Sequence, residues 1–289
     1  KGMDLVMEDG ACKGVVVLNN DNETYTINAA STIITTGGFC SNKELLAEYA
    51  PGYEVFNTSN QMGTTGDFVK IFEQNGFKME NMGKMSFFSN IIVPYRDLTG
   101  GADMNLLANK EGTLLENKSG KDRGTMIQEN GAAFYITDKT GYDSFYRIRK
   151  HVGLGYYAEG ATLEELAEKL NLPVETTVAS WKHYNEMAAA GEDTDYYKEK
   201  HRLMPIDTPP FYGVRTGAWF LATLDGVRID TNMHPFREDG SEIEGLYMAG
   251  DCSGGFFSTS YPNLFTGLAC GRTMVEGRRA GMLAATGQA

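Results

Sequence analysis

The chain has 289 residues, which predicts roughly two domains, and carries 26 Lys and Arg against 38 Asp and Glu, a net charge of -12. With 22% charged and 42% hydrophobic residues, 15 Phe and 15 Tyr, the composition excludes a disordered chain and a coiled coil. The acidic balance argues against nucleic acid as a partner. The longest apolar run, Gly14 to Leu18, falls far short of the ~18 residues a spanning helix needs, and no charged-then-apolar leader opens the chain, so a soluble, untargeted chain is expected.

In chain order, Val15 to Leu18 and Glu23 to Ile27 read as a hairpin across Asn19-Asn20-Asp21-Asn22. Thr32 to Thr36 is a β-branched run that stops at Gly37-Gly38. Ser41 is the expected cap of a helix through Tyr49, and Asp67 the expected cap of Phe68 to Gln74 before Gly76. From Asn81 to Gly131 the pattern is irregular, with a hairpin turn at Asn109 to Gly112, and Ala132 to Thr137 reads as a strand. Thr162 opens a helix with Leu163, Leu166, Ala167 and Leu170 on one face; Pro173 starts a second helix through Trp181 and Tyr184 to Ala190, stopped by Gly191. Trp219 to Leu224, Val227 to Ile229 and Gly245 to Ala249 read as strands, and a last helix spans about Thr266 to Leu283.

Strands and helices mix at both ends, while the centre is more helical and has no regular βαβ rhythm. The expected architecture is an α/β module, residues 1–81 and 213–289, split by an inserted α+β domain, residues 82–212. Cys12, Cys40, Cys252 and Cys270 have no CxxC spacing, and four scattered His make no HxxxH pair, so free thiols and no metal site are expected. The 34 glycines gather at strand ends and turns, where the backbone takes positive φ or approaches a ligand.

Four blocks taken together resemble the flavoprotein family of fumarate reductase, succinate dehydrogenase, urocanate reductase and the 3-ketosteroid dehydrogenases. They are Thr35-Thr36-Gly37-Gly38-Phe39, Gly66-Asp67 ahead of a short helix, Pro209-Pro210-Phe211-Tyr212, and Gly245 to Asp251 followed by Gly254-Gly255. The resemblance covers nearly the whole chain. It implies FAD as cofactor and a partial FAD-binding Rossmann-like domain interrupted by a fumarate-reductase-type capping domain. Such flavoproteins begin with a strand, a G-x-G-x-x-G turn and a helix that holds the pyrophosphate, and no G-x-G-x-x-G occurs here. A chain lacking that first unit, at least ~30 residues, is therefore expected, with weak flavin retention by this polypeptide alone.

The cofactor-side residues implied are Thr36, Gly37, Gly38, Gly66, Asp67, Gly250 and Asp251, with Asp251 on the ribityl chain. The start of the last helix, Thr266, Gly267 and Leu268, implies backbone N–H groups facing charge that develops on the flavin. On the substrate side the sequence departs from fumarate reductase. Leu221-Ala222-Thr223-Leu224-Asp225-Gly226 stands where that enzyme carries a paired His ahead of Thr-x-Gly-Gly, and Tyr261 stands in the block that carries its Arg. Without a guanidinium fork a dicarboxylate is disfavoured. Ser260-Tyr261 instead resembles the Ser-Tyr of 3-ketosteroid dehydrogenases, where a tyrosine hydroxyl polarises a ketone oxygen. Arg123 ranks first as proton donor by position; Tyr95, Tyr156 and Tyr157 follow by chemistry.

The leading expectation is an FAD-dependent oxidoreductase acting on a C–C/C=C bond conjugated to a carbonyl. The alternatives are an organic-acid reductase and a non-catalytic fragment without flavin. A small-molecule substrate and a separate electron-donor protein are the expected partners, since no haem-attachment CxxCH occurs.

Overall fold

The structure is a computed structural model that describes residues 1–95, 97–99, 106–114, 128, 132–258, 261, 262, 265 and 267–287. Backbone packing divides the chain into two compact units, one formed by Lys1–Ser86 with Phe220–Ala289 and the other by Phe87–Trp219.

The first unit opens with an antiparallel sheet of Gly2–Glu8, Ala11–Leu18 and Thr24–Asn28. Its first strand is absent from the sequence reading, although Asp9-Gly10 (φ 48° and 83°) is the two-residue turn that folds it back on the second. Next, Thr32–Ile34 pairs in parallel with Leu246–Met248, Thr32 opposite Leu246 and Ile34 opposite Met248. Both strands are shorter than the runs predicted for them. Ile34, Leu246 and Met248 join Leu5, Phe72, Phe77 and Val227 in one buried cluster, while Tyr247 packs with Ala280 and Leu283 of the last helix, Leu268–Thr286.

Two expected helix caps are corrected. The helix Lys43–Tyr49 is capped by Asn42, whose side chain accepts from Glu44 and Leu45 N–H; Ser41 instead bonds the carbonyl of Gln61. Asp67 caps nothing: the helix Val69–Gln74 starts at Phe68 without a side-chain cap, and the Asp67 carboxylate is taken by the Thr65 hydroxyl (3.0 Å) and Lys1 (3.4 Å).

The second unit is built on a sheet containing Met85–Ile92, Phe211–Thr223, Ala132–Thr137 and Leu106–Ala108 in that order; residues 87–92 and 211–219 of the first two belong here. The region read as irregular therefore contains a strand, Met85–Ile92. Alternation puts Phe134 and Ile136 on one face of the sheet and Ala133 and Tyr135 on the other, and each face has its own core. The helices Leu163–Lys169 and Val174–Ala190 cover the first face, with Leu163, Leu166, Ala167, Tyr184 and Met187 buried. Their ends follow the sequence signals. The Thr162 hydroxyl accepts from Glu165 N–H at 3.2 Å, and Gly191 at φ 72° ends the second helix.

Buried carboxylates fasten the loops of this unit. Asp138, 2% exposed, accepts from Gly141, Asp207 and Thr208 N–H at 3.0–3.1 Å. Asp193 accepts from Asp195, Tyr196 and Lys198 N–H, each at 3.0 Å.

Candidate functional site

The parallel pairing of Thr32–Ile34 with Leu246–Met248 sends both chains out at neighbouring carboxyl ends, the side of an open α/β sheet where ligands bind. One leads into Thr36-Gly37-Gly38 and the other into the short turn Gly250–Cys252, and Ala249 N–H reaches Ile34 O at 3.1 Å to hold them together. Strand-end loops from elsewhere in the first unit complete a narrow pocket of about 10 Å³, where Thr36, Gly37, Asp225 and Asp251 meet the apolar side chains of Phe39 and Met79. Gly37 sits at φ 73°. A Cβ on Gly38 would lie 2.0 Å from the Thr223 hydroxyl, so glycine is required where these two loops touch.

The turn Gly250–Cys252 is gripped by the last helix. Glu276 accepts from Gly250 N–H at 2.8 Å, and Arg272 donates to the carbonyls of Gly250 (3.2 Å) and Ser253 (2.9 Å). The two side chains pair with each other at 2.8 Å, and the guanidinium lies over Phe256 and Phe257 at 5.0 and 5.7 Å. Their i,i+4 spacing was a readable signal, but only burial, at 3% and 11% side-chain exposure, separates this pair from a solvated one.

Burial dominates the electrostatics. It pushes the Asp225 carboxyl up to about 7, with Asp251 adding repulsion, while Gly83 N–H and the Thr223 hydroxyl pull the other way. Asp251 is also raised by burial, with Arg272 opposing and Glu276 assisting. Burial likewise pushes Cys40 to about 12 and Cys252 to about 11, so both thiols are neutral at pH 7 and neither is a ready nucleophile. Three of the cysteines are buried, whereas Cys270 is exposed.

The remaining sequence-predicted residues are dispersed. Asp67 is exposed and does not line the pocket. At the start of the last helix Gly267 takes φ 82°, and the N–H groups of Leu268 and Ala269 are already bonded to Phe265 O (3.3 Å) and the Tyr261 hydroxyl (3.2 Å). Of the expected Thr266, Gly267 and Leu268 donors, Leu268 N–H is thus engaged within the chain. Tyr261 also packs against Phe257, ring centroids 5.0 Å apart. Tyr95 lies in the second unit, 48% exposed and stacked on Tyr156 at 3.8 Å. Arg123, Ser260 and Thr266 lie outside the described residues.

The family model of the FAD binding domain matches residues 2–263. The chain belongs to the FAD-dependent fumarate reductase and succinate dehydrogenase flavoproteins. It is 26% identical to a fumarate reductase (cytochrome) of Shewanella frigidimarina over 99% of this chain and 51% of that protein. It is also 26% identical to a 3-oxosteroid 1-dehydrogenase of Mycobacterium tuberculosis over 90% of this chain and 54% of that protein. The open conformation of a flavocytochrome c3 fumarate reductase superposes with a TM-score of 0.88 at 26% identity, over 99% of this chain and 51% of that one. The chain thus spans about half the length of the curated relatives it matches.

The cofactor of this flavoprotein family is FAD. The space beside Gly38 is filled by Thr223, while a Cβ on Gly37 would make only an ordinary contact with Thr64 at 3.7 Å; the Asp251 carboxylate beyond a strand's carboxyl end is an acceptor for polyol hydroxyls. Among the described residues no helix is long and apolar enough to cross a membrane, and no three His, Cys, Asp or Glu are grouped to hold a metal ion.

Proposed function

We propose that the protein is a flavin-dependent oxidoreductase acting on a C–C/C=C bond conjugated to a carbonyl, with residues 82–212 as its substrate domain and a separate protein as electron donor. Bound FAD supplies the hydride chemistry of such a reaction. The chain's own part is to bind the cofactor at Gly37-Gly38 and Asp251 and to polarise the carbonyl oxygen with Tyr261. The observation that carries this reading is the bond from Ala269 N–H to the Tyr261 oxygen at 3.2 Å. A hydroxyl that accepts a helix N–H is polarised toward donating its own proton, which is what a developing oxyanion requires. Leu221 and Ala222, at the positions of the paired His, offer no charge to a carboxylate. The alternative, an organic-acid reductase of the fumarate or urocanate kind, draws on the match to the Shewanella enzyme across nearly the whole chain.

The deciding experiment is single-turnover reoxidation of the reduced flavin in the full-length protein by a cyclic enone and by fumarate. The enone should be the faster oxidant. Tyr261→Phe should slow it by about a hundredfold, the scale of one oxyanion donor, with flavin content unchanged. Faster reoxidation by fumarate, or an inert mutation, overturns the assignment.

A further inference from the structure

The second unit carries a groove of about 670 Å³, the size of a small-molecule site, and every residue lining it belongs to Phe87–Trp219. It opens along one edge of Phe211–Thr223. Ala158 pairs with Gly213 and Val93 N–H reaches Arg215 O at 3.1 Å, so two segments meet that edge side by side with Arg215 at their junction. Arg215 stands directly opposite Phe134 in the sheet, which puts both side chains on the same face. Leu170 lies close by over Gly213, where a Cβ would come within 2.5 Å of its Cδ1. On the open side of the groove Tyr95 stacks on Tyr156 with ring centroids 3.8 Å apart. Tyr156 stacks in turn with the fully buried His151, whose Nε2 lies 2.9 Å from Asp97 Oδ2, so this aromatic wall rests on a fixed support.

The charges lining the groove are of one sign. Lys110, Lys169 and Arg215 line it and no described Asp or Glu does, in a chain whose net charge is -12. Lys169 is already held by Glu165 at 2.6 Å and by Glu159 O at 2.7 Å, and Lys110 lies 3.8 Å from Glu111. Arg215 is exposed, and among the described residues no acceptor bonds its guanidinium. Apolar and aromatic surface thus meets a guanidinium fork that has no anion.

We propose that this groove binds a planar aromatic carboxylate, with the ring against Phe134, Leu170 and the Tyr95–Tyr156 stack and the carboxylate on Arg215. A carboxylate can accept two parallel N–H bonds from a guanidinium, and a flat ring gains from the aromatic wall. An inorganic anion would leave that wall unused, and a neutral aromatic would leave the fork unpaired. The inference rests on neither the flavin pocket nor Tyr261.

The test is calorimetric titration of the full-length protein, flavin bound, with 2-naphthoate, which has no reducible alkene. Naphthalene-2-carboxamide is the neutral counterpart and acetate the anion without a ring. Naphthoate should bind at least about tenfold more tightly than either. Arg215→Gln should weaken naphthoate about thirtyfold, the scale of a charge-assisted bond, and leave the carboxamide unchanged. Arg215 is exposed, so this variant should keep the wild-type melting temperature. Tyr95→Ala should weaken both aromatic probes together, by about fivefold. Absence of naphthoate binding, acetate binding as tightly as naphthoate, or an Arg215→Gln variant that keeps naphthoate or loses acid and carboxamide equally would each overturn the proposal.

Discussion

The two units use the same residue, a buried aspartate, in opposite ways. In Phe87–Trp219, Asp138 and Asp193 each satisfy three backbone N–H groups, so their charge is consumed in pinning loops. In the other unit Asp225 is just as buried, but its donors are Gly83 N–H, the Thr223 hydroxyl and its own N–H, and it lies beside Asp251. A carboxylate saturated by fixed donors is part of the scaffold. A buried carboxyl beside a second carboxyl, with no cation bonded to it among the described residues, is pushed toward its protonated form instead.

The sharpest way to break this comparison is to remove a partner from the buried Arg272–Glu276 ion pair of the first unit. Glu276→Ala leaves Arg272 buried without its carboxylate and Gly250 N–H without an acceptor; unfolding in urea should show a loss of about 4 kcal/mol. Asp138→Ala should cost about 3 kcal/mol by the same measurement, since a buried N–H and two part-buried ones lose their acceptor together. A smaller cost would mean that those loops are held by other contacts. Gly38→Ala places a methyl 2.0 Å from the Thr223 hydroxyl and should cost about 2 kcal/mol, with Thr223→Ala in the same chain recovering most of it.

The smallest effect has the opposite sign. Asp225 holds its proton up to about 7 in the folded chain but only to ~3.9 when unfolded, so stability falls as pH rises across that window and stays lower above it. Asp225→Asn removes this dependence and should stabilise the flavin-free chain by about 1 kcal/mol at pH 8, after allowing for a weaker bond to Gly83. Near pH 4 the gain should vanish. Thermal melts at the two pH values check it, and a variant less stable at pH 8 would place Asp225 with the scaffold aspartates.

Local chemistry made much of the second unit's helical part legible: Thr162, Pro173 and Gly191 sit where the helix ends are, because caps depend on near neighbours in sequence. Asp67 and Ser41 misled for a reason that sequence does not display. Thr65, Lys1 and Gln61 compete for those side chains, and Asn42 lies one residue closer to its helix. Asp9-Gly10 is a hairpin-turn pair legible in the sequence, and it marks the end of the strand Gly2–Glu8. At the site, the Gly37-Gly38 and Gly250-Asp251 pairs were recognisable as strand-end loops. Their convergence depends on a parallel pairing across more than two hundred residues of chain, which no local pattern encodes. The substitution at Asp225 was visible as a departure from a family motif, but its weight comes from burial, which only the fold supplies.

The grip of Arg272 and Glu276 on the Gly250–Ser253 turn also bears on protease nicking and on where the chain can be shortened. A cut ahead of Leu268 that freed the last helix would leave every residue lining the pocket in place, yet strip Gly250 of its acceptor and Ser253 of its donor. Limited proteolysis there would be felt as loss of a cofactor-side turn. For anyone trimming this polypeptide from its carboxyl end, Glu276 must stay for the turn and Ala280 and Leu283 for the core around Tyr247, well beyond the last side chain that lines the pocket.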